Sequence, residues 1–430
     1  MKIKTISIWM PLLLLLFFLP DGILTIRNSD YILNAIFLKK EWLLLLIEIG
    51  YKMRNLIGGM LLVYMLLNGV KYVKYNNISI RDNNILVVFS IYSLLVYIST
   101  YLNHGDIYNA AITGVYCTGF IYLLKELLIR FGSKTLLIFN MLLITIAGIN
   151  MLFVIFFPNG ITTGNDYIGT AYHLIGTKNA STPFMILTVL TSFMAYEFNK
   201  SGIILFLKLI IVGIGVMLMK SGTSILVIGV MILLFYINKI KSSNQRTDIF
   251  FNGKRLVILT SMITIGVVFF NAQSMFRWLI VGILQKDLTL SGRTDTWSIA
   301  VQQYIRSPII GYGYGHMITG HYYAHNLILE LLVTSGLMGC ATYLYCILRI
   351  YKSYVYNRKY YNFKVLDSVV GCGLVALIIA NIGEAFIFNC SQLAILVLMH
   401  EFIKIYNTSI VQGNLMYDKK NRYIDVISIR

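Results

Sequence analysis

Residues 202–238 read GIILFLKLIIVGIGVMLMKSGTSILVIGVMILLFYIN: two apolar runs, 202–220 and 222–238, meeting at Lys220-Ser221-Gly222. Lys208 and Lys220 are the only charged residues in the stretch. About 18 or more apolar residues make a helix long enough to cross the hydrocarbon core of a bilayer. In lipid the backbone can satisfy its N–H and C=O groups only inside a helix or a closed barrel, so two successive runs of this length imply two spanning helices.

The pattern continues in both directions. Comparable runs lie roughly at 5–20, 55–73, 84–102, 107–129, 135–157, 183–198, 256–272, 326–350, 366–387 and 391–407, giving about twelve spans. The segment from Tyr31 to Gly50 can be read as a further span or as loop. Composition agrees: 57% of the 430 residues are hydrophobic, 13% are charged and the mean hydropathy is +0.73, which excludes a soluble globular class. The expected fold is an all-α polytopic membrane protein, with residues 1–430 as a single integral membrane domain and no internal repeat.

The N-terminal run from Ile6 to Leu19 follows Lys2 and Lys4, but Pro20-Asp21-Gly22 supplies no small-residue cleavage site. It reads as a retained first helix rather than a signal peptide. Cys117, Cys340, Cys346, Cys372 and Cys390 all fall in apolar runs without ligand-pair spacing, which disfavours disulfides and zinc. The formal charge of +18 sits mainly in short loops, so topology and anionic lipid headgroups account for it and nucleic acid is not an expected partner.

Lys and Arg placement sets orientation. The loops 239–255, with Lys239, Lys241, Arg246, Lys254 and Arg255, and 351–364, with Lys352, Arg358, Lys359 and Lys364, are the densest clusters and are expected to be cytoplasmic, as are both termini. Threading outward leaves Asn103–Asp106 outside. It strains only at 21–54, where Arg27, Lys39, Lys40, Lys52 and Arg54 would lie outside unless that region holds a surface or extra helix.

Two outer loops result, 159–181 and the long extracytoplasmic loop 273–324, and binding residues concentrate in loops held by a rigid scaffold. In the long loop Trp297, Ala300, Val301, Tyr304 and Ile305 share one helix face, and Pro308 stops the run. This is an amphipathic helix, expected to lie on or near the membrane surface. Four of the six histidines, His173, His316, His321 and His325, fall in these two loops or directly beside them.

The long loop reads Ser291-Gly292-Arg293-Thr294-Asp295-Thr296-Trp297, then Ser307-Pro308-Ile309-Ile310-Gly311-Tyr312-Gly313-Tyr314-Gly315, then His325-Asn326 entering a helix with Glu330. Arg293 is either a loop cation that pairs with Asp295 or snorkels to lipid headgroups, or a bidentate clamp for a diphosphate, the geometry that guanidinium suits best. His325 is either a polar residue where a span meets water or a general base, since imidazole titrates near neutral pH. The glycines at 311, 313 and 315 follow no strand and precede no Lys-Ser or Lys-Thr, so they read as a flexible turn rather than a phosphate loop. Lys178, in Gly176-Thr177-Lys178-Asn179, is either an interface lysine or a second phosphate contact. Within the spans Lys125, Glu126, Glu197, Lys208 and Glu384 are costly charges; Lys125 and Glu126 look peripheral, while Glu384 could line a cavity.

Ser291-Gly292-Arg293-x-x-x-Trp297, Ser307-Pro308-x-x-Gly311-x-Gly313-x-Gly315 and His325-Asn326 followed by Leu331–Gly339, set between spans, resemble the O-antigen ligase and polymerase superfamily. The resemblance implies a GT-C-like, metal-independent membrane glycosyltransferase without cofactors, in the bacterial cytoplasmic membrane. It would polymerise undecaprenyl-diphosphate-linked oligosaccharide repeat units into capsular or O-antigen polysaccharide at the outer face. It further implies Arg293 on the donor diphosphate and His325 on the acceptor hydroxyl. Lys178, Lys220, Asn179, Asn326, Arg306 and Asp295 complete the expected substrate-binding set, with no metal ligand. Membrane lipids, a flippase and a chain-length regulator are the implied partners. Where the family often has Ser-Arg before the eighth span, this chain has Lys220-Ser221-Gly222-Thr223. Ligase-type transfer to a terminal acceptor is the near alternative. A lipid-linked oligosaccharide flippase is the more distant one, and it would be expected to show internal repeats.

Overall fold

The structure is a computed structural model that describes residues 41–75, 84–158, 162–163, 171–240, 293–315, 324–358 and 363–406, with a few positions near Leu14 and between 258 and 278. It is a bundle of long helices. In chain order these are α1 (Glu41–Tyr75), α2 (Asn84–Leu102), α3 (Ile107–Phe131), α4 (Ser133–Phe156), α5 (Thr182–Asn199), α6 (Gly202–Leu218) and α7 (Gly222–Ile240). Then follow α8 (Arg293–Arg306), α9 (Leu327–Asn357), α10 (Lys364–Gly383, with a π-helical turn over Asp367–Gly371) and α11 (390–406).

Six of these helices, among the described residues, are long and apolar enough to cross a membrane: those starting at Ile85, Ile107, Ser133, Gly222, Leu327 and Lys364. Each coincides with an expected run, and the chain is a multi-pass membrane protein. The outward faces agree. α6 exposes Ile203, Phe206, Leu207, Ile214 and Met217, a stripe of apolar side chains that only lipid would solvate favourably.

α1 begins at Glu41, so the helix expected within 21–54 includes Lys52 and Arg54 and runs on into the run at 55–73. Three expectations are amended. The run 366–387 ends as helix at Gly383, and Glu384 is extended; Glu384 and Asn389 bracket the break before α11. Lys125 is buried in α3 rather than peripheral, while Glu126 pairs with Arg130 at 2.9 Å. The segment 159–181 adds a small antiparallel sheet to the all-helical reading: β1 (Thr162–Thr163), β2 (Ala171–His173) and β3 (Gly176–Thr177), in that order, with Tyr172 opposite both Thr162 and Thr177. The expected run at 256–272, the loop segment 241–255 and the tail beyond 406 lie outside the described residues, apart from isolated positions in the first.

Aromatic rings knit the helices together. Phe18 meets Phe120 and Phe139 edge-on at 5.5 and 5.3 Å, and Tyr92 of α2 meets Tyr343 of α9 at 5.3 Å. At one end of the bundle buried charges are paired: Glu197 with Lys200 and Lys239, and Asp367 with Arg358 through two bonds of 2.8 and 2.9 Å. Such pairing is what a buried carboxylate requires. The opposite end carries the N-termini of α5, α7 and α9 and the C-terminus of α10, and the candidate residues collect there.

Candidate functional site

The site is organised by a break in α9. Gly336 sits at φ 60°, ψ −163° inside the helix, freeing backbone groups that must find partners. The turn 308–313 supplies them. Tyr312 and Gly313 donate their N–H groups to the Val333 and Thr334 carbonyls at 2.7 and 2.8 Å, while Leu337 N–H donates to the Pro308 carbonyl at 2.8 Å. A Cβ at Gly336 would stand 2.2 Å from the Ile309 oxygen, and one at Gly311 2.6 Å from the Gly336 nitrogen, so these glycines are set by close backbone approach. The turn is also tied to α2: Thr100 Oγ1 accepts from Tyr314 N–H at 2.8 Å, and Asn103 Nδ2 donates to the Gly311 carbonyl at 3.1 Å. The expected flexible turn is thus a turn, but a docked one.

α8 lies on the first half of α9. Trp297 and Ala300 are buried with Ala324, Leu329 and Val333 in a small core of their own. The apolar face read from the sequence is therefore covered by protein, and of its members Ile305 remains exposed. Arg293 is the first residue of α8, one turn before Trp297 and so about 6 Å along the axis from it. Its side chain lies outside the described residues. Asp295, in the first turn, and Arg306, in the last, are exposed and suit the helix dipole.

His325 stands at the entry to α9 with φ 51°, a left-handed conformation that is uncommon and strained for a side chain of this size. Half-buried, its Nδ1 lies 3.3 Å from Glu384 Oε2, and Glu384 is fully buried at the end of α10. In the tautomer with its proton on Nδ1, the ring donates to this carboxylate and Nε2 is left with the lone pair. Asn326, fully buried, caps α9 by accepting from Ile328 and Leu329 N–H at 3.0 and 3.1 Å, and donates to the Ile382 carbonyl at 3.1 Å. Its amide is used to hold the His325 corner against α10. Glu330 reinforces the corner, accepting from Ala324 N–H at 2.7 Å and from the Thr334 hydroxyl at 3.2 Å.

A second group forms where α5 and α7 begin. The Thr182 hydroxyl lies 2.7 Å from the Ser224 hydroxyl, which lies 2.8 Å from that of Ser221, and all three are buried. This chain of hydroxyls joins the segment carrying Lys178 and Asn179 to the one carrying Lys220. Both lysines are exposed; Lys220, at φ 53°, terminates α6 with its N–H on the Met217 carbonyl. Two cations beside two helix N-termini suit an anion. Asn150 secures this corner by accepting from Ile175 N–H at 3.2 Å.

His173, buried in β2, is held below the ordinary histidine range by desolvation, and its Nδ1 has no hydrogen-bond partner among the described residues. It acts as a neutral core residue. His316 and His321 lie outside the described residues. Sequence reading gave Glu384 no partner and did not single out Thr182, Ser221 or Ser224, whose signal, small polar residues at helix starts, is shared by every cap.

Residues 207–344 match the family model described as O-antigen ligase. The match begins in α6 and ends in α9, so it contains Lys220, Arg293, Asp295, Arg306, His325 and Asn326 and leaves Lys178, Asn179 and Glu384 outside it. No curated protein and no solved structure matches the chain.

Proposed function

We propose that this chain, a member of the O-antigen ligase/polymerase superfamily, is a polysaccharide polymerase. It would join undecaprenyl-diphosphate-linked repeat units at the outer face of the bacterial cytoplasmic membrane. The observation that carries this reading is the His325 corner: a left-handed histidine backed by a buried carboxylate, next in the chain to Ala324 of the small core that holds the helix Arg293 begins.

In the proposed step His325 Nε2 takes the proton of an acceptor sugar hydroxyl. The hydroxyl oxygen bonds to the anomeric carbon of the donor, and the bond from that carbon to the diphosphate oxygen breaks. Undecaprenyl diphosphate leaves with the electron pair, and Arg293, Lys178 and Lys220 balance its charge, most strongly where water is excluded. Glu384 holds the imidazole tautomer, and Asn326 holds the backbone that presents it. Asn179, Asp295 and Arg306 would line the path of the glycan.

Polymerase is chosen over ligase because Lys220-Ser221 replaces the family's Ser-Arg, and the two differ only in the acceptor. A flippase delivering the repeat units and a chain-length regulator are the partners this reading calls for. The test is synthesis of long glycan by the reconstituted protein from purified lipid-linked repeat units, without added metal. A ladder from wild type, lost in Arg293→Ala and His325→Ala, supports polymerisation. Single transfer to a terminal acceptor would make it a ligase, and lipid-linked sugar crossing the bilayer without new bonds would make it a flippase.

A further inference from the structure

α2 has 19 residues and extends about 28 Å, no more than the hydrocarbon core of about 30 Å that it crosses. All of it is needed inside the membrane, including its last turn, where Tyr101 and Leu102 are exposed and Ser99 and Thr100 are buried. The turn 308–313 docks against those buried residues: a Cβ at Gly313 would stand 2.4 Å from Thr100 Cα. A segment of the long loop therefore lies at the depth of the final turn of a span.

α9 gives the same level independently. Its 31 residues would extend about 46 Å, too long for one crossing, whereas 337–357, after the break at Gly336, extend about 31 Å by themselves. The crossing thus starts near Leu337, the residue whose N–H the Pro308 carbonyl accepts.

Backbone at membrane depth must find its partners within the protein. Besides its bonds to α2 and α9, the turn closes on itself: Gly311 N–H donates to the Ser307 carbonyl at 3.1 Å, and the Ser307 hydroxyl donates to the Gly311 carbonyl at 2.9 Å. Pro308 has no N–H to satisfy. The polar groups named here face inward, while Ile309 and Ile310 are 58% and 38% exposed, next to the equally exposed Leu337 and Met338. The exposed positions of α8 change in step, from Asp295, Ser298 and Gln302 to Ile305 at its end. Arg306, also exposed, follows Ile305 as a cation able to snorkel to headgroups.

We propose that Ile305, Ile309 and Ile310 insert among the acyl chains of the leaflet on the site's side, so that the end of α8 and the turn after it are seated in lipid. The patch continues the lipid-facing surfaces of α2 and α9, and its depth matches the length of both crossings, which a patch for a soluble partner has no reason to do. The seat fixes the level of Gly336 and, through residues 327–335, that of the His325 corner. The assignment does not depend on the reaction proposed above.

The test is nitroxide labelling of the full chain in nanodiscs. Ser298→Cys, Ile305→Cys and Ile309→Cys carry the label at exposed positions that leave the packing intact, and the five native cysteines are buried. Collision with oxygen, which concentrates in lipid, relative to collision with a water-soluble nickel chelate should be several-fold higher at 305 and 309 than at 298. Equal ratios at the three positions would place the turn in water and overturn the proposal. Weak collision with both reagents at 309 would mean that protein, such as a second copy of this chain, covers the patch, and would overturn it as well.

Discussion

His325 Nδ1 lies 3.3 Å from Glu384 Oε2, so the only described histidine at the mouth of α9 is oriented by a carboxylate that is itself fully buried. The pairing predicts a graded loss. His325→Ala should cost about 10²–10⁴ in kcat, the usual worth of a general base. Glu384→Gln, which replaces the accepting oxygen by an amide able to donate, should cost about 10². The double variant should be no slower than His325→Ala, because residues acting as one unit are not additive. Single-turnover rates on purified lipid-linked substrate decide it; additive losses would separate Glu384 from His325.

The broken helix makes a second prediction. Gly336→Ala forces a side chain onto φ 60° and against the Ile309 carbonyl, and should destabilise by about 3 kcal/mol from backbone strain and overpacking together. Gly229, inside α7 with nothing within 4 Å of its built Cβ, is the contrast. Gly229→Ala should stabilise by about 0.5–1 kcal/mol. Denaturation of both variants in the same detergent reads the difference, and a neutral Gly336→Ala would mean that the turn at 308–313 does not depend on the break.

Apolar helices could be read because lipid selects on composition: the runs at 202–220 and 222–238 announce α6 and α7 without reference to any other residue, though only α7 of the two is long enough by itself to cross a membrane. The site could be read only in pieces. Periodicity found the face of Trp297, Ala300 and Val301, yet a helix face does not say whether lipid or protein will cover it, and here α9 does. Glu384 drew notice as a costly intramembrane charge, but its partner His325 is 59 positions away, beyond the reach of any spacing rule. Gly336 passes unmarked in an apolar run, since a glycine there is compatible with an unbroken span. Arg54 was visible as a departure from the charge rule for outer loops, and its burial shows only once α1 is known to begin at Glu41.

His173 supports a pH prediction. Burial holds its folded-state pKa below the unfolded value, so between the two the unfolded chain binds more protons and stability rises with pH. The stabilisation is complete above the ordinary histidine range and is lost as pH falls through it toward the lower folded-state value. The apparent melting temperature of the purified protein should fall on mild acidification, and His173→Phe should flatten that fall. A parallel curve for the variant would remove His173 as its cause.

Arg293 opens α8 one turn before the buried Trp297, so a rigid helix sets where its backbone stands and chemistry must decide what its side chain does. A planar guanidinium can hold two diphosphate oxygens at once, whereas an ammonium is a point charge on a flexible stem. Arg293→Ala should therefore lower kcat by about 10²–10³, the range for removing one donor to a developing anion. Arg293→Lys should recover only a small part of that loss despite keeping the charge. Melting temperature should stay near wild type in both, because Trp297 rather than Arg293 anchors the helix. Full activity in Arg293→Lys would show that charge alone suffices and would rule out the bidentate clamp. Loss of stability in Arg293→Ala would return the residue to the role of a structural loop cation.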